Sequence, residues 1–538
     1  MADFVTPKCK KILLTCVCFL FLTGCGARRT DYGTIKLAIP ENPTTLDPAL
    51  IVDVLGGGIS AKIFNGLVRA DKDLHVVGDI ASSWDISSDG KRYTFTLRDD
   101  VFFHNGRRLT PLDVKYSFER VLNPETGSAR KWIFNNIVGV DAFTKGEKDS
   151  VTGIKVVNKN TLQIELSDSF GPFLWLLTMP NAYIVPKEEV HRLGEEFSRR
   201  PIGTGPFMLK EWKQDYEIVL EAHTRYFDNK PKMKGIEYRI IPDEFSSLAE
   251  FENGNLDIVS IPRAEYKTIL NDQSKKENIF SCAGLNTYYL GFNCSRHPFN
   301  NKIVRQAVNY AIDREKIARN LLDDRVNCAR SVLPPQLDGG EYPQCGYPYD
   351  PQKARDLLRE AGISGELTIT LYQNRTKEAA HITEVVQHYL KAVGINAVII
   401  EREWSSFKET VINGEPDMFL LSWWADYPDA ENFFFPNFHS LNHGAGGNKT
   451  RFDDARIDAL IREAQKTIDA EKRKELYVQL NKEIFEEAPW VFLWHKGEYV
   501  LTQPWVKGYT LYPIYNSDKG TDIWIDVKKI SAKKSYIK

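Results

Sequence analysis

The spacing of hydrophobic and polar positions divides the chain into two differently built regions. "TIKLAIP" (34–40) reads as a first strand. Residues 83–97, "SWDISSDGKRYTFTL", form two strands around Asp89-Gly90, a strong hairpin signal. Thr110 as N-cap and Pro111 at the first helical position predict a helix to about Leu122. A second hairpin follows in "IKVVNKNTLQIEL", turning at Asn158-Lys159-Asn160. Residues from about 68 to 198 thus read as an α+β unit made of local hairpins.

Beyond residue 300 the period changes. Asn301 caps a helix running through Leu322, with Ile303, Val304, Ala307, Val308 and Ala311 on one face. Asp350 and Pro351 open the next helix, which Gly362 closes. Then come a strand over 366–372, a helix over 376–393 stopped by Gly394, and a strand over 395–401. A helix over 404–413 stopped by Gly414 and a strand over 417–422 complete the series. This βαβαβ order predicts a right-handed, mostly parallel sheet. Ligands of such sheets sit beyond the carboxyl ends of the strands, which points to "WWADYPDAENFFF" after Ser422.

A chain of 538 residues with 42% hydrophobic side chains is too long for one core, and two to four domains are expected. Lys and Arg number 70 and Asp and Glu 72, so the net charge of −2 gives no footprint of a nucleic-acid binder. Aromatic residues make up 12% of the chain, enough to furnish a cleft with flat apolar surfaces or simply to fill cores.

The first residues set the compartment. Lys8, Lys10 and Lys11 precede an apolar run over 12–22, too short to cross a bilayer and suited to a signal peptide. The run ends in "LTGC", which resembles a bacterial lipobox with Cys25 as the lipidated residue; a plain secretory signal with an incidental Cys25 is the alternative. The expected location is outside the cytoplasm, anchored by lipid to the bacterial membrane. Four cysteines remain beyond the signal: Cys282, Cys294, Cys328 and Cys345. Cys328 and Cys345 flank a Pro/Gly-rich loop and form the preferred disulfide, while Cys282 and Cys294 are a second pair, bridged or free. CxxC spacing is absent, which leaves a zinc site without its usual signature.

No GxxxxGK[ST], GxSxG or HExxH motif occurs. His439 and His443 have the i, i+4 spacing of a zinc pair, but "FHSLNHGAGG" is too rich in glycine to hold a helix, so they read as loop residues. None of these motifs gives positive evidence for an enzyme, a metal or a cofactor, and the expectation adopted is a binding protein with none of the three. A catalytic triad assembled from distant residues leaves no such motif, so a lipid-anchored secreted hydrolase is the alternative from another class.

Residues 81–114, "ASSWDISSDGKRYTFTLRDDVFFHNGRRLTPLDV", resemble a signature of the peptide-binding class of solute-binding proteins that feed ABC importers. The same holds for "NPTTLDPA" (42–49), "PIGTGPF" (201–207), "TYYLGFN" (287–293), "VRQAVNYAIDREKI" (304–317) and "YDPQKARDLLREAGI" (349–363). These blocks spread the resemblance over essentially the whole chain beyond the signal.

The resemblance implies an α/β, two-lobed clamp with an additional α+β domain inserted in the N-terminal lobe. A signal peptide over 1–24 would precede lobe I, formed from 25–67, 199–285 and 501–538. The insert would span 68–198 and lobe II 286–500. It also implies a peptide ligand, oligopeptides foremost, with two permease subunits and two ATPases as partners of a monomer. The same scaffold tuned to a nickel chelate or haem is the alternative ligand reading. In the family, the segment matching Ser422, Trp423 and Trp424 pairs with the peptide backbone, and a tryptophan matching Trp404 lines a pocket. A loop matching residues 52–54, with Asp53 and Val54, touches the ligand from the other lobe. The aspartate matching Asp426 in the "W-x-A-D-Y" segment pairs with the ligand's α-ammonium. By its residues alone "ADYPD" reads as a turn in which Asp426 or Asp429 caps a backbone N–H.

Overall fold

Trp490–Thr502, a strand of 13 residues, belongs to two sheets at once. The computed structural model describes residues 33–341 and 346–526. The first half of this strand pairs antiparallel with Asn286–Phe292 and, on its other edge, with Val326–Cys328. The second half pairs with Ile258–Ser260 and Ile279–Ala283. From Asn286–Phe292 the sheet continues through Met418–Trp424, Leu367–Asn374 and Ile395–Arg402 as lobe II. From Ile258–Ser260 it continues through Thr34–Ile39, Gly235–Ile240, Glu217–Ala222 and Phe207–Lys213 as lobe I. The continuous apolar run Trp490, Val491, Phe492, Leu493 and Trp494 is buried throughout, as a strand covered on both faces requires. The fold is an α/β clamp of two lobes joined through this strand.

The chain passes between lobes at a clasp. The side-chain amide of Asn286 donates to Lys496 O and its carbonyl accepts from Lys496 N, both at 2.8 Å. Beside it, His495 Nδ1 donates to Asn286 O at 2.7 Å. A Cβ on Gly284 would fall 2.6 Å from Lys496 O, so only glycine admits this close approach. The sequence places the end of lobe II at residue 500, but the strand changes partners at Lys496 and Gly497. The polar stretch from His495 to Glu498 marks that point within an otherwise apolar strand.

Lobe II departs from the expected mostly parallel sheet. Leu367–Asn374 lies parallel to both Ile395–Arg402 and Met418–Trp424, whereas Asn286–Phe292 and Trp490–Thr502 run antiparallel beside them. Those two strands enter from lobe I, outside the βαβαβ series. The single helix expected over 301–322 is two, Lys302–Ala311 and Arg314–Leu321. Asp313 separates them by accepting from Lys316 N at 2.9 Å as the second helix's cap. The helices Lys377–Lys391 and Trp404–Asn413 follow the expected pattern, the latter ending at Gly414 with φ +74°.

The stretch 68–198 holds its own antiparallel sheet in the order Ala81–Ile86, Arg92–Leu97, Thr161–Glu165, Ile154–Asn158. Helix Pro111–Leu122 opens with a capping box between Thr110 and Asp113 and covers a core containing Tyr93, Phe95, Phe118 and Phe134. Arg120 reaches from this helix to lobe I, where both its Nη atoms bond Asp47 at 2.7 and 2.5 Å.

Cys282 and Cys294 are free thiols and do not form the second bridge considered above. Asn286–Phe292, seven extended residues spanning roughly 23 Å, lies between them and holds them at opposite ends. Cys328 is a free thiol among the described residues, and the preferred bridge reaches outside them, since Cys345 is not described, nor is Cys25. Asn286→Ala removes two buried hydrogen bonds at the clasp and is expected to cost about 1–3 kcal/mol. A urea midpoint lowered accordingly checks this; an unchanged midpoint contradicts a structural role for the clasp.

Candidate functional site

Past the carboxyl end of Met418–Trp424 the chain lines a cavity of about 760 Å³. One wall comes from the insert, with Arg130, Trp132, Asn136 and Phe170. The facing wall comes from lobe II, with Trp423, Asp426, Asn432 and Phe435. The strand that delivers Asp426 pairs with Leu367–Asn374 only at Met418 and Phe419. On that side, residues 420–424 have no strand partner among the described residues, while their other edge is fully paired to Asn286–Phe292. Such an open edge accepts an extended backbone.

Asp426 is fixed through its backbone, whose N–H donates to Asn432 Oδ1 at 2.9 Å. Its carboxylate faces Arg130 Nη2 at 3.1 Å, and each side chain is about three-quarters buried. Tyr427, next along the chain, turns into the core of the insert, and its hydroxyl bonds Glu431. Glu431 also accepts from Gln465 Nε2 at 2.6 Å. Burial pushes the Glu431 carboxyl up to about 7, against the hydrogen bonds from Tyr427 and Gln465 that favour its ionised form. Asp429 is buried as well, accepting from Tyr477 Oη at 2.6 Å and from Glu431 N at 2.9 Å. Burial raises its carboxyl too. The turn reading of "ADYPD" therefore holds for Asp429, whose carboxylate caps a backbone N–H, while the Asp426 carboxylate faces a cation at the cavity wall.

The other expected site residues are spread more widely. Trp423 lines the cavity with Asp426, and its buried Nε1 has no hydrogen-bond partner among the described residues. Ser422 lies opposite Tyr288 and Trp424 opposite Asn286; the Trp424 indole is exposed and meets Tyr288 edge-on at 6.4 Å. Trp404 is exposed, stacked on Phe407 at 5.9 Å, and outside the cavity lining. Asp53 is occupied as a cap: its carboxylate accepts from Gly56 N at 2.7 Å and Thr44 Oγ1 at 2.5 Å. Val54, exposed, lines a second cavity of about 310 Å³ in lobe I together with Tyr515. Burial raises the Tyr515 phenol, with Asp426 and Asp53 adding to the shift and Arg130 opposing it, so Tyr515 stands within electrostatic reach of the facing walls. His439 and His443 lie in a turn, where His439 Nδ1 accepts from Leu441 N at 3.1 Å.

Arg130, Asn432, Glu431 and Tyr515 were not legible as site residues. Arg130 and Tyr515 meet the site only through groups far along the chain, and "GSARKWIF" around Arg130 carries no pattern of its own, whereas Glu431 and Asn432 lie in the segment past Ser422 but show no sign there of which groups they bond.

Residues 75–445 match the family model described as bacterial extracellular solute-binding proteins, family 5, middle. The chain belongs to this family. It is a family of solute-binding proteins rather than of enzymes, and it places the protein outside the cytoplasm. The chain is 29% identical over 520 residues to heme-binding protein A of Haemophilus influenzae, covering 92% of this chain and 93% of that one. It is 29% identical over 475 residues to the dipeptide-binding protein of Escherichia coli, covering 85% and 88%. The solved structure of the binding protein DppA from Helicobacter pylori in complex with the peptide STSA superposes with a TM-score of 0.74 at 25% identity, covering 92% and 98%. Among the described residues no helix is long and apolar enough to cross a membrane.

The raised Glu431 carboxyl has a consequence for stability. Its folded-state value lies above the ordinary 4.5, so its contribution is complete below about pH 4.5 and is lost as pH rises through about 7. Glu431→Gln keeps the shape and removes the titration. The variant is expected to gain up to roughly 3 kcal/mol over the wild type between pH 5 and pH 8. Thermal melts of both proteins across that range check it, and parallel curves contradict it.

Proposed function

We propose that this protein is the substrate-binding component of an ABC importer for peptides, and that Asp426 receives the ligand's α-ammonium. The observation that carries the reading is a carboxylate on the wall of a 760 Å³ cavity, directly past a strand edge open to an extended chain. Strand-edge hydrogen bonds hold any peptide backbone, and the carboxylate fixes its charged end. The peptide bound to the Helicobacter pylori neighbour and the name of the Escherichia coli relative support a peptide ligand. The volume lies within the range of small-ligand pockets, which favours short peptides over long ones. The Haemophilus influenzae relative's name favours haem as a second reading, but no His, Cys or Met lines this cavity among the described residues. Closure of the two lobes about the clasp buries the ligand for delivery to permease and ATPase subunits. Lipidation at Cys25 keeps the monomeric receptor at the membrane surface.

Removing the carboxylate leaves the ligand's ammonium unpaired and facing Arg130, a cost of about 3–5 kcal/mol. Asp426→Asn is therefore expected to weaken binding of a free-amine peptide by two to four orders of magnitude. N-acetylated peptide should bind the wild type poorly for the same reason. Calorimetry decides this: near-wild-type affinity in Asp426→Asn overturns the assignment. Cys25→Ser should release the exported protein from membranes into the wash, and a wild type without an acyl mass contradicts the anchor.

A further inference from the structure

The insert is fixed to lobe I by buried contacts. Arg120 bonds Asp47, the Asn181 amide donates to Pro48 O at 2.8 Å and Ile51 O at 3.1 Å, and the Asn516 amide donates to Thr178 O at 2.8 Å. The insert therefore turns with lobe I, and its meeting with lobe II must part when the clamp opens. Beside the cavity that meeting is made by the insert loop 168–171 and the end of the lobe II helix Ala455–Lys466. The last carbonyls of a helix find no partner within it. Here Glu463 O and Ala464 O accept from Thr467 N, whereas Gln465 O accepts from Gly171 N at 2.7 Å and Lys466 O from Ser169 Oγ at 3.0 Å. Part of the cap is thus supplied by another domain. Asp168 adds an ion pair to Lys466 Nζ at 2.7 Å, with both side chains about half exposed. Gln465 carries the contact inward: its side-chain amide donates to Glu431, which bonds Tyr427, the residue after Asp426.

We propose that the insert loop 168–171 is a latch, which holds the clamp closed by completing the cap of the lobe II helix and, through Gln465, keeps the Asp426 wall in place. Every group in the latch belongs to the protein, so it stabilises the closed arrangement with or without a ligand. Two hydrogen bonds and a half-exposed ion pair are weak enough to part for entry and release. The apparent affinity of a ligand falls with the fraction of receptor already in the competent state. The latch therefore scales the affinity for all ligands by one factor, while the cavity walls decide between them. This inference does not depend on the peptide reading or on the role of Asp426 in it.

Gly171→Ala isolates the latch, because the atoms nearest the added Cβ, Thr467 O at 2.5 Å and Arg473 Nη1 at 2.6 Å, both belong to lobe II. Small-angle scattering of the ligand-free protein should give this variant a larger radius of gyration than the wild type. Asp168→Lys sets like charges across the same seam and should shift the radius in the same direction. Saturating tri-alanine should return both variants to the radius of the liganded wild type. Calorimetry should show tri-alanine and Ala-Phe-Ala weakened by the same factor in each variant, about ten-fold in Gly171→Ala. A ligand-free radius unchanged in both variants overturns the latch, and a lowered melting temperature without that change marks the loop as merely structural. A larger radius with unchanged affinity also overturns it, as do unequal losses for the two tripeptides, which mark the loop as a ligand contact. If Gly171→Ala does not fold, Asp168→Lys, altered at a half-exposed pair, decides alone. If neither tripeptide binds the wild type, the peptide reading fails and the ligand-free radii still decide on the latch.

Discussion

Everything in this molecule hangs on one strand serving two sheets. Trp490–Thr502 gives its first half to lobe II and its second to lobe I, so the lobes cannot slide past one another without breaking a ladder. What is left to them is rotation where the ladder changes partners. That place is clasped by the Asn286 amide on the backbone of Lys496, a pair of bonds that fixes the crossing point without covering it in a core. Because Asn286 also begins the strand that pairs with Met418–Trp424, the crossing and the strand that leads to the cavity are adjacent: Asn286 lies opposite Trp424. Rotation at the clasp therefore changes the distance between Asp426 and the lobe I wall.

Below the cavity wall lies a buried polar network. Tyr427, Glu431 and Gln465 form one buried polar chain, and Asp429 with Tyr477 forms another, linked to it through Glu431 N. Buried polar groups of this kind are costly unless fully partnered, and so they hold a single arrangement. Asp426 sits on that floor with its backbone tied to Asn432, leaving only its carboxylate at the cavity wall.

Local structure was legible wherever it depended on neighbours in sequence. The hairpin at Asp89-Gly90, the capped helix Pro111–Leu122 and the alternation that ends in Met418–Trp424 follow from turn chemistry and apolar period. The break between Lys302–Ala311 and Arg314–Leu321 was missed because the apolar face continues across it and only the Asp313 cap interrupts the helix. Of the residues lining the cavity, Asp426 and Trp423 were expected from the sequence, through their place at or just past a strand end and through resemblance. Arg130 was out of reach: it meets Asp426 across 296 residues of chain, and no local pattern records a contact made only after an independent sheet has folded.

A strand edge alone cannot read where a peptide begins. Its hydrogen bonds repeat along the backbone, so a bound chain can shift by two residues and recover the same ladder. Residues 420–424 provide such an edge, and by themselves they give attachment without register. In the proposed role of Asp426, a charge placed past the last paired residue removes the degeneracy, because only one alignment would bring the ligand's terminal charge to it. Both Asp426 and Arg130 are about three-quarters buried, where salt screens far less than at the surface, so the alignment survives physiological ionic strength. The sheet edge belongs to lobe II, but one wall of the cavity, with Arg130, Trp132 and Phe170, comes from the insert, and two lobes alone would lack that wall.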